Sequence, residues 1–131
     1  MKYLAQMISN IKVGLISKSR YVKCKNTYLC IEVLKQIYNL GYISGFSILN
    51  KNDIRIFLKY SNNRSVISSI HFINSKKSKN YIKNKNFLSN SLSKNFNSYY
   101  STLLCSTSYG ILSDVEMITR KIGGSPIVKI N

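Results

Sequence analysis

Acidic side chains are scarce in this sequence. Four Asp plus Glu stand against twenty Lys plus Arg, a formal net charge of +16 over 131 residues. A nuclease working through metal ions needs clustered carboxylates, and one working by acid/base chemistry needs a histidine pair. Four scattered acids and one histidine, His71, supply neither. Asp114 and Glu116 lie two positions apart, but an acid/base couple has to converge on a pocket, and neighbouring cations should hold both ionised. The reading is therefore of a protein that is not an enzyme, with no catalytic residues and no small-molecule substrate. Cysteine is limited to Cys24, Cys30 and Cys105, an odd number without a Cys-x-x-Cys pair. With His71 these could build at most one improvised metal site. Unpaired thiols packed as small hydrophobes in a reducing compartment suit them better, so no metal ligand set and no cofactor is predicted. Tryptophan is absent and Lys far exceeds Arg. Usage leans toward Lys, Asn, Ile, Ser and Tyr, the bias of an AT-rich gene. No apolar run is long enough to span a bilayer, and no basic amphipathic stretch has a strong apolar face, which argues against a membrane partner.

What remains is a large excess of positive charge spread along the chain, the footprint of a polyanion binder. A chain of this length suits one compact domain or two small ones sharing a modest core.

The densest chemistry lies near the C-terminus. Tyr99-Tyr100-Ser101-Thr102-Leu103-Leu104-Cys105 reads as a buried strand. Ser106-Thr107-Ser108-Tyr109-Gly110-Ile111-Leu112-Ser113-Asp114 follows, three hydroxyls in succession with Gly110 to permit a tight backbone path. Hydroxyls and exposed N–H groups donate to phosphate or ribose 2′-OH without bringing charge of their own. An ordinary Ser/Thr turn between strands has the same composition. The wider pattern, with Gly123-Gly124 ahead of a closing strand, resembles the C-terminal signature of the small-subunit ribosomal protein eight family of bacteria and organelles. That family shows Ser-Thr-Ser-Lys-Gly, an acidic residue in a short helical turn, then Gly-Gly before the last strand. Here Tyr109 stands in place of the Lys, and Ser125 in place of the Glu that commonly follows Gly-Gly.

The rest of the chain can be set beside that resemblance. Leu4, Met7, Ile8, Ile11 and Leu15 have helical spacing over residues 3–16. The family's RNA-contacting run at the end of this helix corresponds to Ser9-Asn10-Ile11-Lys12-Val13, which keeps a hydroxyl at Ser9 and a cation at Lys12. Lys18, Arg20, Lys23 and Lys25 surround Tyr21-Val22 as a basic connector, or as an edge strand whose charges blunt it. Asn26 can cap a second helix that runs to about Leu40, with Leu29, Cys30, Val33, Leu34 and Ile37 on one face and Gly41 as its stop. The family's polar loop at this helix start corresponds to Lys25-Asn26-Thr27-Tyr28. Three strands are predicted at 43–49, 53–60 and 65–73, split by turns at 50–52 and 61–63. Ile54, Ile56 and Leu58 alternate with Arg55, Phe57 and Lys59, so one face should lie on the helices. From Asn74 to Ser98 the composition shifts to Asn, Ser and Lys, that of a linker or a partly disordered basic segment. The family opens its second domain here. Lys76 and Lys77 stand at its Pro-Gly, Lys79 and Tyr81 match its cation and aromatic, and residues 84–97 have the place of an insertion. A short turn near Asp114–Met117, the pair Arg120-Lys121, and a strand from Pro126 to Ile130 complete the chain.

The expected fold class is α+β: a two-helix, three-strand lobe at 1–73, a basic segment at 74–98, and a mostly antiparallel β lobe at 99–131. The resemblance implies a structural constituent of the small ribosomal subunit that binds helical small-subunit ribosomal RNA, supports assembly and translation, and neighbours other small-subunit proteins. It implies RNA contacts at Ser9, Lys12, Thr27, Lys76, Lys77, Lys79, Tyr81, Ser106, Thr107, Ser108, Tyr109, Gly110, Lys121, Gly123 and Gly124. A second reading stays open, a basic RNA chaperone or single-strand binder that uses interleaved Tyr and Lys at Tyr81, Tyr99 and Tyr100. The N-terminus lacks the apolar core of a secretory signal and an Arg-rich presequence, as expected of a protein made inside the organelle where it works. With the AT-type composition this points to a mitochondrion, with a plastid or an AT-rich bacterial cytoplasm as alternatives.

Overall fold

A computed structural model describes residues 2–73 and 102–131. Lys76, Lys77, Lys79, Tyr81, Tyr99, Tyr100 and the insertion at 84–97 lie outside the described residues. The chain divides into two compact units, Met1–Ile70 and His71–Asn131. The fold is α+β: among the described residues the first unit has two helices and the second one, each with antiparallel strands.

In the first unit, helix α1 (Lys2–Ile16) buries Leu4, Met7, Ile8 and Ile11, one stripe of a 3.6-residue repeat. Gly14 rather than Leu15 closes that stripe. A Cβ at Gly14 would run into Val22 Cγ1 and lie 3.1 Å from Leu58 Cδ1, so the helix approaches the sheet where only hydrogen fits. Strands β1 (Tyr21–Lys25), β2 (Ile43–Ile48) and β3 (Asp53–Leu58) form one antiparallel sheet in the order β1-β3-β2. The basic connector is thus an edge strand. Ile54, Ile56 and Leu58 are buried, as their alternation required.

Helix α2 (Tyr28–Asn39) buries Cys30, Val33, Leu34 and Ile37. Its cap is Thr27, not Asn26. Thr27 has extended backbone, and its Oγ1 accepts from the Cys30 N–H at 3.3 Å. Asn26 instead binds the 50–52 turn, its N–H to Asn52 O at 2.9 Å and its Nδ2 to Asn50 O at 3.3 Å. Gly41, at φ +83, ends the helix as expected. The predicted strand at 65–73 is broken. Its residues appear in β5 (Arg64–Ser65), which pairs with β4 (Tyr60–Ser61), and in β6 (Ile70–Phe72), which belongs to a different sheet. Asn62 and Asn63 take positive φ in the tight turn between β4 and β5, and the strand breaks beyond it, where the Ser65 Oγ donates locally to Ile67 O at 2.7 Å.

Among the described residues, the sheet of the second unit has the order β6-β9-β7-β8, with β6 starting at Ile70 and followed by β7 (Thr102–Thr107), β8 (Gly110–Ser113) and β9 (Ser125–Ile130). Leu103, Leu104 and Cys105 are buried in succession, the mark of a strand covered on both faces. Leu103 and Cys105 pack with Leu112 and with Met117 of helix α3 (Asp114–Arg120). That helix replaces the single turn expected there. Ser113 caps it, its Oγ accepting from the Glu116 N–H at 3.4 Å. Pro126 lies at an irregularity between β7 and β9, where a residue without an N–H fits.

Candidate nucleic-acid interface

Ser106 and Thr107 are not in a loop. They are the last residues of β7, and Thr107 pairs with Gly110 across a two-residue turn of Ser108 and Tyr109. Neighbouring strand residues face opposite ways, so the three hydroxyls do not share one face. Thr107 Oγ1 donates to Gly110 O at 2.8 Å and accepts from the Tyr109 N–H at 3.1 Å, locking the turn. Gly110, at φ +103, takes a conformation that a side chain would strain. Ser106 and Ser108 are exposed, and Tyr109 is 70% exposed at the tip.

Gly124 is buried against the base of this hairpin. A Cβ there would lie 2.8 Å from Ser106 O, 2.8 Å from Thr107 Cγ2 and 3.1 Å from Met117 Cε. The distant Gly-Gly and the hydroxyl run are one packed element, and Gly124 is the member in contact. Half-buried Gly123 precedes it.

Lys121 follows α3 with φ 56 and ψ 46, the left-handed conformation usually given to glycine at a helix end. Its N–H reaches Ile118 O at 3.2 Å, and that of Ile122 reaches Met117 O at 3.0 Å. Left-handed backbone costs a residue with a Cβ about 1–2 kcal/mol. Glycine loses more chain entropy on folding, which offsets part of the gain, so Lys121→Gly is expected to stabilise the protein by about 0.5–1 kcal/mol. Urea unfolding measures this, and a midpoint lower than that of the parent would contradict it.

In the first unit Ser9 and Lys12 are both exposed on α1, three residues apart and so adjacent on its surface. Ser9 Oγ donates to Ala5 O at 3.1 Å, keeping its lone pairs for a donor. Thr27 is half-buried, with its hydroxyl engaged in capping. Sequence reasoning passed over the outer face of the β1-β3-β2 sheet. There Tyr21 pairs with Phe57, Lys23 with Arg55 and Lys25 with Asp53. The alternation of β3 was the available signal, but the register with β1 was not.

Asp53 lies 4.0 Å from Lys25 and Glu32 lies 3.3 Å from Lys35. Burial pushes the Asp114 carboxyl up from its ordinary value, and backbone N–H groups that donate to it act in the opposite direction. Its Oδ1 accepts from the Val115 N–H at 2.9 Å. Cys24, Cys30 and Cys105 are buried free thiols. Burial pushes Cys24 and Cys105 up to about 12 and raises Cys30, which keeps all three protonated and unreactive. Among the described residues, no group of three His, Cys, Asp or Glu could hold a metal ion, and no helix is long and apolar enough to cross a membrane.

Fold, charge and site together define a class: a small, very basic α+β protein that presents a braced hydroxyl hairpin. Comparison with known families matches residues 2–131 to ribosomal protein S8. The chain belongs to the ribosomal protein S8 family. It is 41% identical over 131 residues to the small ribosomal subunit protein uS8m of Acanthamoeba castellanii, covering 100% of both chains. It is 28% identical over 134 residues to the small ribosomal subunit protein uS8 of Rickettsia canadensis (strain McKiel), covering 97% of this chain and 95% of the relative. With the uS8 of Wolinella succinogenes the identity is 26% over 131 residues, with coverage of 97% and 95%.

Proposed function

We propose that this chain is a protein of the mitochondrial small ribosomal subunit that binds helical small-subunit ribosomal RNA and helps hold its shape during assembly. Family membership and the full-length match to an amoebal uS8m support the ribosomal and mitochondrial parts of this reading. Its partners are that RNA and neighbouring small-subunit proteins.

The observation that carries RNA binding is the braced hairpin. Thr107 fixes the turn from within and Gly124 supports it from behind, so Ser106, Ser108 and Tyr109 are presented without further ordering. The wide, shallow minor groove of an RNA helix displays sugar hydroxyls and base edges, which uncharged donors and acceptors can read. Tyr109, in place of the family's Lys, offers a ring for stacking where a cation would reach phosphate. Lys12, Lys121 and the basic residues Lys76, Lys77 and Lys79 supply affinity through phosphate contacts and counterion release. A Lys at the strained position 121 fits that role, since the charge is kept there at a cost to stability.

The test separates reading from positioning. Ser106→Ala with Ser108→Ala removes two exposed hydroxyls and leaves the Thr107 lock intact. Each lost bond should cost about 0.5–1.5 kcal/mol, which reduces preference for the cognate helix over an unrelated duplex. The salt dependence should not move, because no charge is removed. Lys12→Ala with Lys121→Ala should do the reverse, with a shallower salt slope and preference retained. If the double Ser variant keeps full discrimination while folded, the hairpin is only a turn.

A further inference from the structure

Helices α1 and α2 pack against one face of the β1-β3-β2 sheet, and among the described residues the other face carries exposed side chains. Its centre holds two aromatic rings and a guanidinium in register. Tyr21 and Phe57 are paired across the strands, their ring centroids 6.5 Å apart and their planes at 61°. Arg55, diagonal to Tyr21, holds its Cζ 4.5 Å from the centroid of that ring. Arg55 Nε is buried without a hydrogen-bond partner among the described residues. On the far side of β3, Gly45 stands opposite Phe57 and Ser47 opposite Arg55, so low relief borders the rings. Tyr21 is 45% and Phe57 37% exposed. Lys23 and Lys25 line the edge strand beside them, and Asp53 is the acid on this face, 4.0 Å from Lys25.

We infer that this face is a stacking platform for unpaired RNA nucleotides. The assignment rests on the RNA-binding reading above and adds a second site of different chemistry, in the other unit. Rings and a guanidinium plane stack on bases of any sequence, and flanking lysines track the phosphates of a single strand. A duplex hides its base faces and cannot use the rings. The charge excludes an apolar partner, because docking one would strip water from Lys23, Lys25 and Arg55 without supplying counter-charge. The rings exceed what a bare phosphate contact would need.

The full chain is titrated with a ten-nucleotide uridine oligomer and, separately, with a blunt-ended RNA duplex. In Tyr21→Leu with Phe57→Leu, affinity for the oligomer should fall about tenfold or more, and duplex affinity should hold. Phe57→Tyr keeps a ring and should bind the oligomer nearly as the parent does. Equal oligomer affinity in the folded double variant and the parent overturns the platform, and leaves the duplex reading standing. Loss of duplex affinity from the parent itself would instead sink the reading on which the platform rests. Ultraviolet cross-linking of assembled small subunits does not depend on any variant. Nucleotide adducts on the Tyr21 or Phe57 peptides support the assignment, whereas cross-links from these peptides to an acidic protein segment overturn it.

Discussion

Gly124→Val is expected to melt well below the parent and to lose its preference for the cognate RNA helix. The new Cβ would sit 2.8 Å from a backbone carbonyl, Ser106 O, and 2.8 Å from Thr107 Cγ2. Met117 Cε, at 3.1 Å, is the end of a flexible side chain and can give. The carbonyl cannot, because Ser106 is paired with Ile111 on one side and Ser125 on the other. Relief therefore requires the hairpin to move or its pairing to break. Overpacking of this kind costs about 1–3 kcal/mol. For a domain of this size each kcal/mol is about 4–8 °C in melting temperature. The same displacement would carry Ser106 and Ser108 away from the groove-reading position proposed for them, so binding should fall with stability. Gly45→Ala is the control, since a Cβ there meets nothing within 4 Å. Thermal unfolding by circular dichroism, with duplex titration below the transition, makes the comparison. A Gly124→Val protein with the parent's melting temperature and RNA preference would show that hairpin and Gly-Gly are not coupled.

Affinity for the RNA helix should also collapse with salt. With net charge +16, and with the acids Asp53 and Glu32 already beside lysines, most cations are left for phosphate. A protein that neutralises six or more phosphates loses about a thousandfold or more in affinity between roughly 50 and 200 mM salt. Lys12→Ala and Lys121→Ala should each lower the slope of log affinity against log salt by about 0.7–0.9 if each contacts one phosphate. Titrations at four or five salt concentrations give the slopes. A flat dependence would remove the electrostatic half of the mechanism.

Much of the first unit was legible because its signals are local. The stripe Leu4, Met7, Ile8, Ile11 repeats within one helix, Gly41 marks a helix end, and Ile54, Ile56, Leu58 alternate within one strand. The misreadings involve choices between neighbours or partners distant in sequence. Asn26 and Thr27 are both good caps. The turn at 50–52 decided between them by engaging Asn26, and nothing near residue 26 announces that turn. Residues 65–73 have strand composition, yet Ile70–Phe72 pairs with β9, more than fifty positions along the chain. The Ser-Thr-Ser run was visible as chemistry but not as geometry, because its division between faces depends on the register of β7 with β8. Tyr21, Arg55 and Phe57 escaped notice for the same reason: no periodicity within either strand brings them together. Lys121 carries no signal of its own, since a left-handed lysine looks like any other in sequence.

The sheet order β6-β9-β7-β8 sets a schedule for the second unit during its own synthesis. β9 lies between β6 and β7, so a strand made after both of these neighbours sits between them. Among the described residues, β6 has no strand beside it and one edge of β7 is unpaired until residues 125–130 leave the translating ribosome. The first unit, Met1–Ile70, has all its strands by then. At about 5–20 residues per second, the interval between the two units is a matter of seconds. The hydroxyl hairpin, complete at Ser113, therefore waits for its Gly124 support until that later stretch has been made.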